Sequence, residues 1–559
     1  MITQKLTGAP EDVVRAGEIL RGGGVVAIPT ETVYGLAANA LDPAAVQKIF
    51  AAKGRPMDNP LIVHITKIEQ WAPLVRELPL EALRLAEEFW PGPLTIILKK
   101  SGIIPLETSG GLDTVGVRCP AHPLARAVID AAGRPLAAPS ANRSGRPSPT
   151  GFAHTFAELQ GRVDAVLDGG DCAVGMESTV VSLVGSTPRL LRPGGVTVEE
   201  LRRVLGQVEV DPAVTAMLAP GQQAASPGMK YKHYAPRAQV VLVDGSPEDY
   251  IKWANGWAGA LPLGQQAYAA KILGPDPCSE GLAGRVFALC FDETADRLRI
   301  PAVTYGPRYD RQAQARQLFS ALRRLDEAGA ALVFAQRPSP VGVGLAVYNR
   351  LLRAAAFRVE QMPAPMVIGL VGPSGAGKST IGQALARQGF GVIDCDRLTR
   401  SEKVYGPACI AQLQETFGED IAPGGRLDRR KLAGRAFADA KSARRLGEIT
   451  FPWIEKAVRE EVARLQALGA PVVLDAPTLF ESGLDRACGR ILAVTAPEEE
   501  LLRRITLRDG LTEEQARQRL GAQKPVAFYA ARADFVISNG PGEDAADQAA
   551  EIGKKWKGR

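Results

Sequence analysis

One run about two-thirds of the way along the chain constrains the fold most: Gly369-Leu-Val-Gly-Pro-Ser-Gly-Ala-Gly-Lys-Ser-Thr380. Val367 to Val371 reads as a short apolar strand, Gly372 to Lys378 as a Gly-rich turn, and Ser379 onwards as a helix. The spacing Gly372, four residues, Gly377-Lys378-Ser379 matches GxxxxGK[ST], in which backbone N–H groups and a helix N-terminus cradle phosphates. Gly372, Gly375, Gly377 and the start of the helix through Thr380 would form the cradle. Lys378 would reach the outer phosphates, and the Ser379 hydroxyl would ligate magnesium. The sequence thus predicts ATP and Mg2+ as cofactors. A Gly-rich turn without a ligand is the alternative, but a cation behind three flexible glycines makes poor sense without an anion.

A P-loop domain begins at its first strand, so everything before about Met366 belongs to other units. At 559 residues the length suggests three to four domains. A 46% apolar and 23% charged composition is that of globular proteins, and a net charge of +6 over this length permits an anionic ligand or weak RNA binding without requiring either. The seven cysteines form no CxxC pair, and no stretch reaches about 18 uninterrupted apolar residues. Reduced thiols, no membrane partner and a cytoplasmic setting are therefore expected.

In chain order, Glu11 to Gly22 reads as a helix, and the strand Val25 to Ile28 runs into Pro29-Thr-Glu-Thr-Val-Tyr-Gly-Leu36. Open α/β sheets place ligands beyond the carboxyl ends of their strands. The helix Ala44 to Ala52 ends in Lys53-Gly-Arg-Pro56, two cations held by Gly and Pro in a turn before the strand Ile62 to Ile65. They suit either a polyanion or a solvated helix C-terminus. Pro91-Gly-Pro-Leu-Thr95 opens a strand, Val115-Gly-Val-Arg-Cys-Pro120 puts an Arg on an apolar strand, and Ala138-Pro-Ser-Ala-Asn-Arg-Ser-Gly145 is a polar turn expected to follow a helix. Each of these alone fits ordinary turn chemistry.

These blocks, with Asn59-Pro-Leu61, Glu177-Ser-Thr-Val180 and Arg192-Pro-Gly194, resemble the YrdC-like threonylcarbamoyl-AMP synthases. The resemblance implies a twisted α/β domain that condenses L-threonine, bicarbonate and ATP into threonylcarbamoyl-AMP and releases pyrophosphate. It implies Lys53 and Arg55 as catalytic stabilisers of phosphate charge. Thr30, Tyr34, Arg118 and Thr179 are implied contacts to the amino acid, and Ser140, Asn142, Ser178 and Arg192 contacts to the nucleotide. A separate transferase acting on tRNA would receive the product. No nucleophile stands out, which suits substrates joined by proximity.

Ser226-Pro-Gly-Met-Lys-Tyr-Lys-His-Tyr-Ala-Pro236 resembles the linker of the long form of that family, making Tyr231, His233 and Tyr234 candidate lid residues over the substrate. From Gln239 to about Val359 strands and helices alternate in a small Rossmann-like α/β accessory unit. Gly342 and Gly344 supply only a GxG, too little for a dinucleotide site.

Beyond the P-loop, Gly391-Val-Ile-Asp-Cys-Asp-Arg-Leu398 places Asp394 and Asp396 at a strand end, and Arg504 and Arg508 sit four apart on one helix face. Asp394 reads equally as a helix cap. This order resembles dephospho-CoA kinase, which phosphorylates the ribose 3′-hydroxyl of dephospho-CoA with magnesium-ATP. The resemblance implies Asp396 as the base, Lys378 and Ser379 as phosphate and magnesium ligands, and Arg504 and Arg508 as a catalytic lid on a parallel-sheet P-loop kinase. Two departures stand out. The loop reads Gly-Pro-Ser-Gly-Ala-Gly-Lys-Ser where the family has GGIGSGKS, and Phe451 stands where it has a His before Pro452.

The expected organisation is residues 1–210 synthase, 211–238 linker or lid, 239–358 accessory α/β, 359–365 linker and 366–559 kinase. The competing reading is a non-catalytic RNA-binding N-terminal half joined to a kinase for another nucleoside or nucleotide.

Overall fold

A computed structural model describes the chain except residues 1, 55, 58, 218–233, 260–262, 274–281, 283, 363–365, 400, 402–403 and 558–559. Arg55, Tyr231 and His233 lie outside the described residues. The chain divides into two compact units, one of Met1–Val243 and Ile251–Glu360, the other of Asp244–Tyr250 and Gln361–Arg559.

In the first unit, β1 (Gln4–Leu6), β2 (Val26–Ile28), β3 (Gly35–Asn39), β4 (Ile62–His64), β5 (Leu94–Lys99), β6 (Thr114–Arg118), β7 (Leu136–Ala137), β8 (Ala165–Leu167), β9 (Thr179–Ser182), β10 (Arg189–Arg192) and β11 (Glu209–Val210) form one mixed sheet. Its order is β1-β8-β2-β3-β7-β4-β6-β5-β9-β10-β11. β2, β4 and β8 are buried along their whole length because helices cover both faces. The helix Pro10–Arg21 starts on a Pro at its first turn and packs Ala16 and Leu20 against Val128 and Ile129 of the helix Pro123–Ala132. The turn at Ala138 follows the short strand β7 and not a helix. A two-residue strand carries no readable alternation, so the preceding helix hid it in the sequence.

Five further strands, β12 (Gln239–Asp244), β13 (Val286–Cys290), β14 (Ala302–Thr304), β15 (Leu332–Gln336) and β16 (Val359–Gln361), form the accessory sheet in the order β14-β13-β15-β12-β16. The pairings β12 with β15, β13 with β15 and β13 with β14 are parallel. β14 and β16 are three residues each. The helices Arg311–Glu327 and Gly344–Ala354 close the sheet around a core of Phe319, Leu322, Val333 and Val347, which also takes in Val33 and Met176 from the N-terminal sheet domain. The N-terminal and accessory domains thus share apolar core.

The second unit carries a parallel sheet of β17 (Val367–Val371), β18 (Gly391–Asp394), β19 (Val472–Asp475), β20 (Arg490–Thr495) and β21 (Phe535–Ser538), ordered β18-β19-β17-β20-β21. β17 is central and buried throughout, as its unbroken apolar run requires. Apolar clusters cover both faces, one around Ile368, Leu385 and Ile537 and the other around Leu474, Leu479 and Val458. The helix Ala440–Ala467 continues through Pro452.

Six described cysteines are buried and free, and among the described residues no helix is long and apolar enough to cross a membrane.

Thr179 opens β9, and its hydroxyl donates to the Val196 carbonyl at 2.5 Å while accepting the Val196 N–H at 3.0 Å. Thr179→Val keeps the shape but leaves two buried backbone groups unpaired. The thermal midpoint of the first unit should fall, by the equivalent of about 1–3 kcal/mol, in calorimetric scans.

Candidate functional sites

In the first unit the predicted residues gather at strand and helix ends. Arg118 closes β6, and its guanidinium pairs with Glu31 at 2.6 Å and donates to the Thr32 hydroxyl at 2.9 Å. Thr30, which is buried, donates to the Val33 carbonyl at 2.6 Å and shares a hydrogen bond with Thr32 at 2.8 Å. Burial alone would raise the Glu31 carboxyl, but Arg118 overrides it and holds the group below the usual carboxylate range. His64, opposite Arg118 on β4, is pushed down to about 3 by burial and then by the same guanidinium, so it is neutral.

Lys53, the last residue of the helix Pro43–Lys53, is 3% exposed. Its ammonium donates to the Ser140 carbonyl and, at 2.6 Å, to the Asn142 carbonyl. The Ser140 hydroxyl in turn donates to Asn142 Oδ1 at 2.6 Å, and the Asn142 amide ties down the carbonyls of Arg143 and Arg146 at 2.8 Å each. The Ala141 N–H donates to the Tyr34 carbonyl at 2.8 Å, joining this turn to the Thr30–Tyr34 segment. The Tyr34 hydroxyl donates to Gly170 and accepts from the Gly169 N–H, an anchoring contact that burial makes still harder to ionise.

The third group lies on β9 and β10. Arg192 donates to the Ser178 carbonyl at 3.0 Å and hydroxyl at 3.1 Å, and Ser178 shares a hydrogen bond with Thr95 at 2.8 Å. Burial lowers the Arg192 pKa, and Arg350 and Arg118 lower it further while Tyr234 and Glu177 oppose them, so these groups sense one another's charge. Tyr234 has a positive φ of 62° and packs its ring 5.4 Å from Phe319. Sequence reasoning passed over Glu31 and Glu177. Both stood inside quoted motifs, flanked by hydroxyl residues that drew the attention.

In the second unit the P-loop joins β17 to the helix Lys378–Arg387. Gly372 has φ 146° and a Cβ there would lie 2.3 Å from the Val494 carbonyl oxygen; at Gly377, φ 95°, it would strike the Asn539 amide at 2.3 Å. Only glycine lets this loop lie against its neighbours. Lys378 donates to the carbonyls of Gly372 at 2.8 Å and Pro373 at 3.2 Å. Ser379 and Thr380 are exposed at the helix start.

A cleft of about 1010 Å³ opens over the loop, lined among others by Lys378, Asp394, Asp396, Asp475, Arg504 and Arg508. Asp394 caps the helix Cys395–Leu398, accepting the Arg397 N–H at 2.9 Å, so the capping reading holds there. Asp396 is exposed. Arg504 bonds Glu500 at 2.6 Å, the Gly375 carbonyl at 3.3 Å and the Asn539 carbonyl at 2.9 Å, while Arg508 bonds Asp509 at 2.8 Å. Arg504 therefore ties the helix Glu498–Asp509 to the P-loop. Phe451, on the helix Ala440–Ala467, is not among the residues lining this cleft.

Asp475 stands at the end of β19. Burial raises it to about 6, Lys378 opposes the rise, and Asp394 and Asp396 add to it. Burial lowers Lys378, with Asp475 and Asp396 opposing.

The arrangement defines a P-loop phosphotransferase joined to an α/β enzyme whose strand ends hold buried cations among hydroxyl groups. Family models match in the same order: "Telomere recombination" over residues 18–194, "Threonylcarbamoyl-AMP synthase, C-terminal domain" over 196–356 and "Dephospho-CoA kinase" over 366–544. The threonylcarbamoyl-AMP synthase of Pyrococcus abyssi is 43% identical over 344 residues, which cover 62% of this chain and 94% of that protein. The dephospho-CoA kinase of Anaeromyxobacter dehalogenans is 43% identical over 175 residues, 31% of this chain and 83% of that one. The crystal structure of P. abyssi Sua5 complexed with L-threonine superimposes with a TM-score of 0.56 and 41% identity, covering 65% of this chain and 99% of that one. The chain belongs to the threonylcarbamoyl-AMP synthase family and, through its C-terminal part, to the dephospho-CoA kinase family. It is a bifunctional, ATP-using enzyme.

The raised Asp475 pKa has a sign that can be checked. Between pH 3.8 and about 6 the folded unit holds a proton that the unfolded chain releases, so its stability falls as pH rises through that window. Asp475→Asn should remove that fall. Relative to the parent chain the variant gains the equivalent of about 1–2 kcal/mol at pH 7 and little at pH 4, read by calorimetric scans across the range. A difference that does not change with pH would refute the assignment.

Proposed function

We propose that the N-terminal sheet domain forms threonylcarbamoyl-AMP from L-threonine, bicarbonate and ATP, and that the C-terminal cleft phosphorylates the 3′-hydroxyl of dephospho-CoA. The observation that carries the reading is that the first unit buries Lys53, Arg118 and Arg192 among hydroxyl groups while the second lines its P-loop cleft with Lys378, Arg504 and Arg508, in the order of the two family matches. A buried ammonium or guanidinium is expensive unless it is paired or hydrogen-bonded, and Lys53, Arg118 and Arg192 are held in this way.

In the first reaction the threonine amine attacks the carbon of bicarbonate and water leaves, giving a carbamate. Its oxygen attacks the α-phosphorus of ATP, the bond to the β-phosphate oxygen breaks, and pyrophosphate leaves. Arg118, fixed by Glu31, meets the threonine carboxylate, with Thr30, Tyr34 and Thr179 shaping that side. Lys53 and Arg55 stabilise charge on the phosphates, and Ser140, Asn142, Ser178 and Arg192 hold the nucleotide. Tyr231, His233 and Tyr234 cover the substrate. A separate transferase passes the product to tRNA, in the cytoplasm, and any RNA binding by this chain is weak.

In the second reaction Asp396 accepts the proton of the ribose hydroxyl, whose oxygen takes the γ-phosphoryl group as ADP departs. Lys378 turns from its loop carbonyls to the phosphates, and Arg504 and Arg508 clamp the transferring group. Mg2+ fits the donors present: the exposed Ser379 hydroxyl and carboxylates at the cleft are hard oxygen ligands. Among the described residues no three His, Cys, Asp or Glu side chains could hold an ion together, which suits a metal kept mainly by phosphates and water. When bound, the ion would neutralise phosphate charge. The proposed domain boundaries are residues 1–210, 211–238, 239–358, 359–365 and 366–559, with the accessory domain extended to 361 because β16 belongs to its sheet.

The full chain with magnesium-ATP should release pyrophosphate only when threonine and bicarbonate are present, and ADP only when dephospho-CoA is present. Lys378→Met should lower the ADP signal at least about a hundredfold and spare pyrophosphate; Lys53→Met should do the reverse. Loss of both products in either variant would overturn the assignment of separate sites.

A further inference from the structure

Resting on the adenylate-forming reading of the first unit, we propose that Arg350 of the accessory domain is a positioning residue for that reaction, setting the nucleotide-facing wall at Ser178 and Arg192. Arg350 lies on the helix Gly344–Ala354 and is 0% exposed. Its Nε bonds Glu177 Oε2 at 2.9 Å and its Nη1 bonds Asn349 Oδ1 at 2.8 Å, while the guanidinium carbon sits 5.3 Å from the centre of the Tyr234 ring. Glu177 has only one other side-chain contact among its described hydrogen bonds, the Ser148 hydroxyl that donates to its second oxygen. Burial would raise the Glu177 carboxyl, and Arg350, then Arg192, hold it down instead. The carboxylate is therefore a charged pin between the accessory helix and the turn that carries Ser148.

The next residue along the chain is Ser178, whose carbonyl and hydroxyl both receive Arg192. Moving Glu177 moves that peptide, and Ser178 and Arg192 must follow. A second arginine of the accessory domain acts on the facing wall. Arg323 pairs with Glu158 at 2.9 Å and donates to the Pro147 carbonyl, and Glu158 accepts the Arg143 N–H at 2.9 Å, one residue after Asn142. The accessory helix Arg311–Glu327 also lies on the backbone at Gly175: φ is 74° there, and a Cβ would fall 2.5 Å from the Arg316 Cα. Two helices of the accessory domain thus hold both stretches that carry the nucleotide candidates. The threonine candidates Thr30 and Arg118 are fixed by Thr32, Glu31 and Gly92, within the N-terminal domain. Of the threonine candidates, Thr179 adjoins the Ser178 wall, but Thr30 and Arg118 take these bonds within the N-terminal domain, so the accessory domain acts chiefly on nucleotide affinity.

The test uses the full chain once threonine-dependent pyrophosphate release has been established, so that failure of the reaction assignment is seen separately. Arg350→Met keeps the volume and removes the pin. It should raise the KM for ATP about tenfold or more, leave the calorimetric Kd for threonine within about twofold, and leave ADP formation from dephospho-CoA unchanged. Arg350→Lys, which retains charge near Glu177 but loses the planar fork, should give an intermediate KM and carries the test if the Met variant does not fold. Gly175→Ala, which displaces the accessory helix, should reproduce the ATP effect. A merely structural role predicts fewer active molecules with both constants unchanged, and that result overturns the proposal. So does a loss of threonine affinity in step with that for ATP.

Discussion

A buried cation has to be matched by something, and this chain's functional surfaces are arranged around that requirement. Lys53, Arg118, Arg192 and Arg350 are each less than a tenth exposed, and each is met by carbonyl oxygens, hydroxyls or a carboxylate. The two carboxylates that answer them, Glu31 and Glu177, stay charged only because a guanidinium outweighs the effect of their own burial. Such pairs contribute little net stability compared with apolar packing of the same volume, and breaking one is costly. Their burial among polar partners is understandable if they fix geometry for an anionic ligand.

The P-loop solves the same problem differently. Lys378 rests on the carbonyls of its own loop, with Asp475 and Asp396 close enough to oppose the effect of burial on its charge. Arg504 bonds loop and strand-end carbonyls, and Arg508 is held by Asp509. A phosphate can outbid the carbonyls that hold Lys378, because charge-assisted bonds to phosphate are stronger than bonds to a neutral carbonyl, whereas Arg504 and Arg508 are aimed by the carboxylates of Glu500 and Asp509.

Much of this was legible in the sequence. The P-loop strand Val367–Val371 appears where the apolar run placed it, because a central parallel strand buried on both faces must be apolar throughout. The helices before Lys53 and around Arg504 follow from periodicity, and the two families follow from motif blocks with fixed order. What could not be read was pairing. Glu31, in the turn after β2, and Arg118, on β6, lie far apart in sequence and meet only in the folded chain, and the same holds for Glu177 and Arg350 of the accessory helix. β14 and β16, three residues each, carried too few side chains to show a period.

The sequence by itself determined which chemistries were available: a phosphate cradle from glycine spacing, cations and hydroxyls at strand ends, and two families from their ordered motifs. Local patterns suffice for that, since backbone conformation and residue type act over a few positions. The tertiary structure decided which charges face one another. It turned Asp394 into a cap, raised Asp475 by burial, and brought an accessory-domain arginine against the carboxylate beside Ser178. Those outcomes depend on burial and on contacts between distant segments, and neither is written in any one stretch of the chain.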